Sequence, residues 1–484
     1  MRLYAMLVLL SIYSITSAQQ FKLDDAGVLK DSKGDRDMIK VTNGFIAIEY
    51  STKTRMAYTF TLSKLRYDSK LIKYDDKLNI QKEIILSGGE KIYGPFTPFL
   101  KNINNKTLLF YYQSSDNENE IILYASEIDE STLDLNSPKK ILAINQKNIG
   151  VIKAFYLFDN QKLIVNVFPN HQKTIVAWSS GVNNEIYISV MDQNMNLIWS
   201  KNEKVAGADE IRITSAAVDK NGTAFISYIN KHKKDKKSFI IIAKQNAVTA
   251  NIELIIDGAI VRHAFISPGS NDNDMLIAGT YMEGADYLLT GAFSQNIDAN
   301  SLVFSNTLKH QFPKSLVEQF REDFYARTKN KDYGIFANSD LEHVVMEDGS
   351  VSISGDFNRY VGSTHPSQIT GSILHILIIK DRAVFSRILK SEDEVVRGGE
   401  STNLFYPFAY KDKMLVFYNN VYDRRNNEVV VAIIDKNGTV SKKVFSDVTS
   451  KILSLAIEKI KPINASVLML PTVGDHVGIL EIKN

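Results

Sequence analysis

The chain has 484 residues, 44% of them hydrophobic and 23% charged, which are the proportions of a folded globular protein. Its 57 basic and 55 acidic residues leave a formal net charge of only +2, so no whole-protein field draws it to nucleic acid. It contains no cysteine, which excludes thiol catalysis, cysteine-ligated zinc, disulfide bonds and a lipid-modified N-terminal cysteine.

The first segment reads MRLYAMLVLLSIYSITSAQQ: a positive start at Arg2, an apolar run over 3–15, then the small residues Thr16, Ser17 and Ala18. This pattern predicts a secretory signal peptide over 1–18, cleaved after Ala18. The run is short for a membrane-spanning helix, which needs about 20 apolar residues. No later stretch is long and apolar enough to serve as one. The expectation is therefore a single domain over 19–484, periplasmic or secreted, without a transmembrane segment and monomeric.

One phrase then recurs: a turn residue or lysine followed by an alternating apolar strand. Its eight copies are GFIAIEYS (44–51), KTLLFYYQ (106–113), KTIVAWSS (173–180), GTAFISYI (222–229), DMLIAGTY (274–281), GSVSISGD (349–356), KMLVFYNN (413–420) and ASVLMLPT (465–472). Their starts lie 62, 67, 49, 52, 75, 64 and 52 residues apart. Several strands within each interval of about 60 residues is the pattern of a propeller. After each phrase comes a second apolar strand, such as EIYISVMD at 185–192, then a third, and a further strand precedes several phrases, as FYLFDN at 155–160 and FYPFAY at 405–410. The predicted fold class is all-β: a β-propeller of four-stranded blades, eight in number, or seven if one interval belongs to a shared blade. The last unit has strands near 455–461, 465–472 and 476–482 and no outer strand; QFKLD at 20–24 is expected to supply it and close the ring.

The second strands end on Asp75, Asp129, Asp192, Gln245, Asp298, Asp381 and Asp435. Asp and Asn bond their own backbone and tolerate left-handed angles, so these are read as turn formers rather than catalytic acids. Asp-Lys-Asn-Gly at 435–438 and again at 219–222 suits hairpins in the same way. The longest interval holds a helical insertion near 313–330, with Leu316, Val317, Phe320, Phe324 and Tyr325 on one face and Ser315 with Glu318 as a capping box. An apolar stripe of this kind is expected to dock on the propeller.

In propellers the second-to-third and fourth-to-first connections crowd one face, and here they carry the unusual residues. They are the lysine run KHKKDKK at 231–237, the stretch after Asp356 with Arg359, Tyr360 and His365, and VYDRRNN at 421–427 with Tyr422 and Arg425. The lysine run reads as a solvated hairpin tip. Arg359, Tyr360, His365, Tyr422 and Arg425 form the candidate ligand site, since Arg forks bind anions and tyrosines stack. No catalytic residue, metal site or cofactor is indicated. The eight histidines have no zincin spacing, there is no nucleophile elbow or phosphate loop, and with only two Trp the aspartate boxes of sialidases are not matched. Asp31, Asp35 and Asp37 read as flexible sequence rather than a calcium loop.

The Ser-Ala-Gln-Gln ending at 17–20, LIAGTYMEGADYLLTGAFSQNID at 276–298, PKSLVEQF at 313–320 and AIIDKNGTV at 432–440 give the chain its resemblance to uncharacterised exported proteins of Bacteroidetes that look like β-propellers. The resemblance implies export from a Gram-negative cell and assigns no activity. The functional expectation is an exported, non-enzymatic binding or interaction protein working through the loop-rich face, with an unidentified ligand or protein partner. The alternatives are a carbohydrate-active enzyme with carboxylates at the channel mouth and a structural component of an envelope complex.

Overall fold

The structure, a computed structural model, describes residues 20–28, 35–53, 66–86, 98–114, 120–145, 162–179, 184–207, 210–232, 235–246, 250–269, 274–283, 288–325, 341–361, 367–379, 382–388, 393–395, 405–423, 426–445, 455–471 and 476–483. The signal-like segment 1–18 and the predicted strand 155–160 lie outside them. The described strands form eight antiparallel sheets of at least four strands each, arranged as a β-propeller. Blades 1 to 7 span 35–85, 99–145, 162–204, 210–253, 255–311, 341–388 and 405–444 in chain order, and blade 8 combines 461–483 with 20–28. Seven of the eight recurring phrases are the second strand of their blade; in blade 5 the two-residue strand Ile255–Ile256 comes first and the phrase is third. The ring closes as the sequence predicts: Gln20–Val28 pairs antiparallel with His476–Lys483, Phe21 opposite Ile482, as the outermost strand of blade 8.

The phrases differ from a half-buried strand in one respect: both of their faces are buried. In blade 1, Phe45 and Ala47 pack towards blade 8 while Ile46 and Ile48 pack towards blade 2. In blade 3, Val176 and Trp178 face blade 2, and Ile175 and Ala177 face blade 4. A radial sheet sandwiched between two neighbours needs apolar side chains on both sides, which explains the near-continuous apolar runs. The outer strands are mostly exposed, as in Ile80–Ile85 and Leu197–Lys204. Eight hydrophobic clusters result, one in each cleft between adjacent blades.

The innermost strands are joined by side chains that reach the backbone of the next blade. The Asp37 carboxylate of blade 1 accepts the Leu100 N–H of blade 2 at 2.7 Å. Lys101 of blade 2 donates to the Val165 carbonyl of blade 3. Asn166 of blade 3 donates to the Ala216 carbonyl of blade 4 at 2.8 Å, and Thr214 of blade 4 to the Ala264 carbonyl of blade 5 at 2.6 Å. At the closure Lys461 of blade 8 pairs with Asp37 and donates to the Leu100 carbonyl at 3.3 Å, touching blades 1 and 2 together.

The aspartate turns form as expected. The Oδ1 of Asp75, Asp192 and Asp435 each accepts two backbone N–H groups, from Lys77 and Asn79, Asn194 and Asn196, and Asn437 and Thr439. Gly222 and Gly438 take φ of 84° and 82°, where a side chain would be strained. Asp381 lies outside the described residues. Two boundaries differ from expectation. The helix spans Lys314–Tyr325, so Ser315 is inside its first turn and no capping box forms; the Pro313 carbonyl accepts the first bonds, from Leu316 and Val317. Proline has no N–H to leave unpaired, which lets the helix start directly after it. The segment expected as a strand near 455–461 is a short 3-10 turn at Ile457–Lys459, and the inner strand of blade 8 is Lys461–Asn464. The helix docks as predicted, with Leu316, Val317 and Phe320 buried between blades 5 and 6.

Hydrogen bonds hold turn carboxylates below the usual range: from Ser131 to Asp129, at about 2, from Asn79 to Asp75, and from Ser301 to Asp298. Native pKa values below the unfolded ones contribute stability that is present above about pH 4 and lost as pH falls towards 2. The melting temperature is expected to fall across that window, and less steeply in a D75N/D129N/D298N variant. The Phe21 ring, half-buried, meets Phe445 edge-on at 5.7 Å beneath the Lys443 ammonium. Phe21→Ala is expected to cost about 2 kcal/mol, below the range for a fully buried Phe, as read from the urea midpoint. Asp37→Ala leaves the Leu100 N–H and Lys461 without their acceptor and is expected to cost about 2 kcal/mol in the same measurement.

Candidate functional site

A cavity of about 730 Å³ lies against the innermost strands of blades 8, 1, 2 and 3. Its apolar wall includes Ile39, Phe99, Leu163, Ile463 and Met469, and its polar groups are Asp37, Lys40, Lys101, Asn102 and Lys461. The volume is within the range of small-molecule pockets, roughly 300–1,000 Å³.

The charges in this wall are not balanced. Asp37, the single carboxylate among its described residues, is committed to Lys461 and to the Leu100 N–H. Lys40 sits at 4.7 Å above the Phe45 ring and pairs with Asp76, which is exposed. Lys101 has the Val165 carbonyl as its acceptor and no carboxylate of the cavity left to match it. Burial, and then the charge of Lys461, lower the Lys101 ammonium to about 8. The site therefore offers an apolar surface beside an ammonium that is charged at neutral pH and loses its proton just above it.

None of the sequence-predicted site residues is among the lining residues of this cavity. Arg359 and Tyr360 lie on Val351–Val361 in blade 6, opposite Ile369 and Gln368, and Tyr422 lies on Lys413–Asp423 in blade 7. The side chains of these three residues, and the whole of His365 and Arg425, lie outside the described residues. The connections expected to be loops are long hairpins instead. The blade 6 ladder continues past a bulge at Phe357 to Val361 opposite Ser367, and in the lysine run His232 pairs with Asp235. The β-forming Tyr360, Val361, Ile369 and Thr370 carry the blade 6 ladder outwards.

Asp37 and Lys101 were not found from the sequence. Asp37 belongs to the strand Asp35–Val41, not to flexible sequence. The available signal was Asn43-Gly44, a hairpin dipeptide that requires a paired strand before the first phrase. Two histidines serve the framework. His375 is fully buried against the Ser354 hydroxyl at 3.0 Å, and desolvation lowers its pKa to about 3, so it is neutral at physiological pH. His171 contacts the Val218 carbonyl at 2.7 Å. Among the described residues, no helix is long and apolar enough to cross a membrane.

No family model and no curated protein matches the sequence. Solved propellers are similar in fold. The Dos1 propeller is 10% identical, with 95% of this chain and 94% of that one covered and a TM-score of 0.40. The WD40 domain of SCAP from fission yeast is 10% identical over 95% and 98% of the two chains, with a TM-score of 0.41. The polysaccharide lyase Uly1 is 10% identical over 82% and 93%, with a TM-score of 0.41. At this level of identity the likeness is one of fold alone.

Proposed function

We propose that the protein is an exported, non-enzymatic binding protein that takes a small amphipathic anion in the cavity between blades 8, 1, 2 and 3. The observation that carries this reading is Lys101, a cation beside the apolar part of the wall with no described carboxylate of the cavity left to match it. A carboxylate-bearing ligand would meet that ammonium in a charge-assisted hydrogen bond while its body covers Phe99, Leu163 and Ile463. Glycoside hydrolysis uses two carboxylates flanking the bond. The described cavity wall offers one, Asp37, and both of its oxygens are engaged in holding blades together. Export rests on the signal-like segment 1–18.

Thermal-shift and calorimetric titration with a panel of aryl, aliphatic and sugar carboxylates tests the reading. At least one member is expected to raise the melting temperature saturably. Its affinity should fall about tenfold in Lys101→Met, the worth of one charge-assisted bond. Because the anion needs the protonated ammonium, affinity should also fall as pH rises through about 8. A panel without any shift, or one whose shifts survive Lys101→Met unchanged, overturns the proposal.

A further inference from the structure

Three lysines of the innermost strands differ in what they meet. Lys461 has the Asp37 carboxylate, and Lys40 has that of Asp76. Lys101 donates instead to the Val165 carbonyl, a neutral acceptor that an uncharged amine serves as well as an ammonium. A second cation also stands at its strand. Lys461 donates to the Leu100 carbonyl at 3.3 Å, on the peptide group that joins Leu100 to Lys101.

The remaining surroundings of Lys101 are largely apolar. Phe99 lies two residues back on the same strand face, blade 3 adds Leu163 and Val165, and blade 8 adds Ile463. The charged groups in the described wall are Asp37 and Lys40 from blade 1 and Lys461 from blade 8; blade 3 brings none. An apolar pocket and a neighbouring cation are the two conditions that turn a lysine from a charge into a nucleophile. The lowering of Lys101 to about 8, by burial first and by Lys461 second, agrees with this setting. At pH 7 about a tenth of such amines are unprotonated, against fewer than about one in a thousand for an ordinary lysine.

We propose that Lys101 is an imine-forming lysine, which takes an aldehyde on an apolar body and holds it covalently in the cavity. The inference rests on the reading of this cavity as the ligand site, and it extends the ligand class from carboxylates to aldehydes. The Nζ lone pair attacks the carbonyl carbon, the carbonyl electron pair moves to oxygen, and one proton passes from nitrogen to that oxygen, giving a carbinolamine. The hydroxyl then leaves as water with the second proton of the nitrogen, while the nitrogen lone pair closes the C=N bond. Nothing is oxidised or reduced, and no co-reactant is needed. Phe99, Leu163 and Ile463 cover the body of the aldehyde.

Reductive trapping of the whole protein with benzaldehyde and sodium cyanoborohydride at pH 7, read by peptide mapping, is the test. Hydride adds to the imine carbon and a proton to nitrogen, which fixes the adduct as a benzylamine. Lys101 is expected to be labelled at least about tenfold faster than Lys314, whose side chain is 81% exposed. The advantage should be smaller with formaldehyde, which has no body for the wall to hold, and should vanish in urea. Labelling of Lys101 no faster than that of Lys314 overturns the inference. So does an equal preference with benzaldehyde and formaldehyde, which means a reactive lysine without a site, and so does an advantage that persists in urea. Carboxylate titration decides the anion reading separately. A carboxylate that binds through Lys101, with no preferential labelling by benzaldehyde, refutes the imine alone. Preferential labelling with no carboxylate bound refutes the anion reading alone.

Discussion

The innermost strand of each blade is an edge strand, and its channel-side backbone groups have no neighbouring strand to pair with. The protein meets this need by lending side chains from one blade to the next. Asp37, Lys101, Asn166 and Thr214 pass along blades 1 to 5 in this way, each engaging a peptide group of its successor. The apolar clusters between blades supply non-directional attraction, but they do not by themselves fix the height at which one blade meets the next. The side-chain-to-backbone bonds do, because each has a single geometric partner. Everything nearer the rim, including the docked helix and the long hairpins, is positioned on this inner ring.

The same device explains why the cavity is charged. A polar side chain that bridges two blades must come from the innermost strand, next to the channel. Lys101 and Asp37 are there because the framework needs a donor and an acceptor at those joints. Their availability to a ligand is a by-product of that need.

Much of the fold was legible in the sequence because propeller blades repeat. Each of the eight phrases corresponds to one strand in each of the eight blades, and several aspartates after them are turn residues whose carboxylates cap their own hairpins. Even the non-local pairing of 20–28 with 476–483 could be inferred, since a missing outer strand at one end of the chain implies a spare one at the other. What could not be read was anything that depends on neighbouring blades. Asp37 and Leu100 are 63 residues apart, and Lys461 and Asp37 are 424 apart. No local pattern marks such partners. The capping box failed for a local reason: Ser315 and Glu318 have the right spacing, but the helix starts at Lys314, directly after Pro313 and two residues too early for Ser315 to cap it. The loop-borne site expected from Arg359, Tyr360 and Tyr422 rested on reading ladder residues as loops, because a strand that outruns the body of its sheet looks polar at its tip.

Closing the ring with the first described strand has a kinetic consequence. The partner of Gln20–Val28 is His476–Lys483, so residues 20–28 cannot pair natively until a segment made roughly 450 residues later is available. The cost of closing so large a loop grows only slowly with length, but the wait is long, and blades 1 to 7 must form meanwhile. During that time blade 1 has no blade 8 to cover Phe45 and Ala47, and the strand 20–28 is an unpaired β-segment able to seek other edges. Two aspartates within it, Asp24 and Asp25, add charge to the segment, a common guard against pairing with the wrong edge.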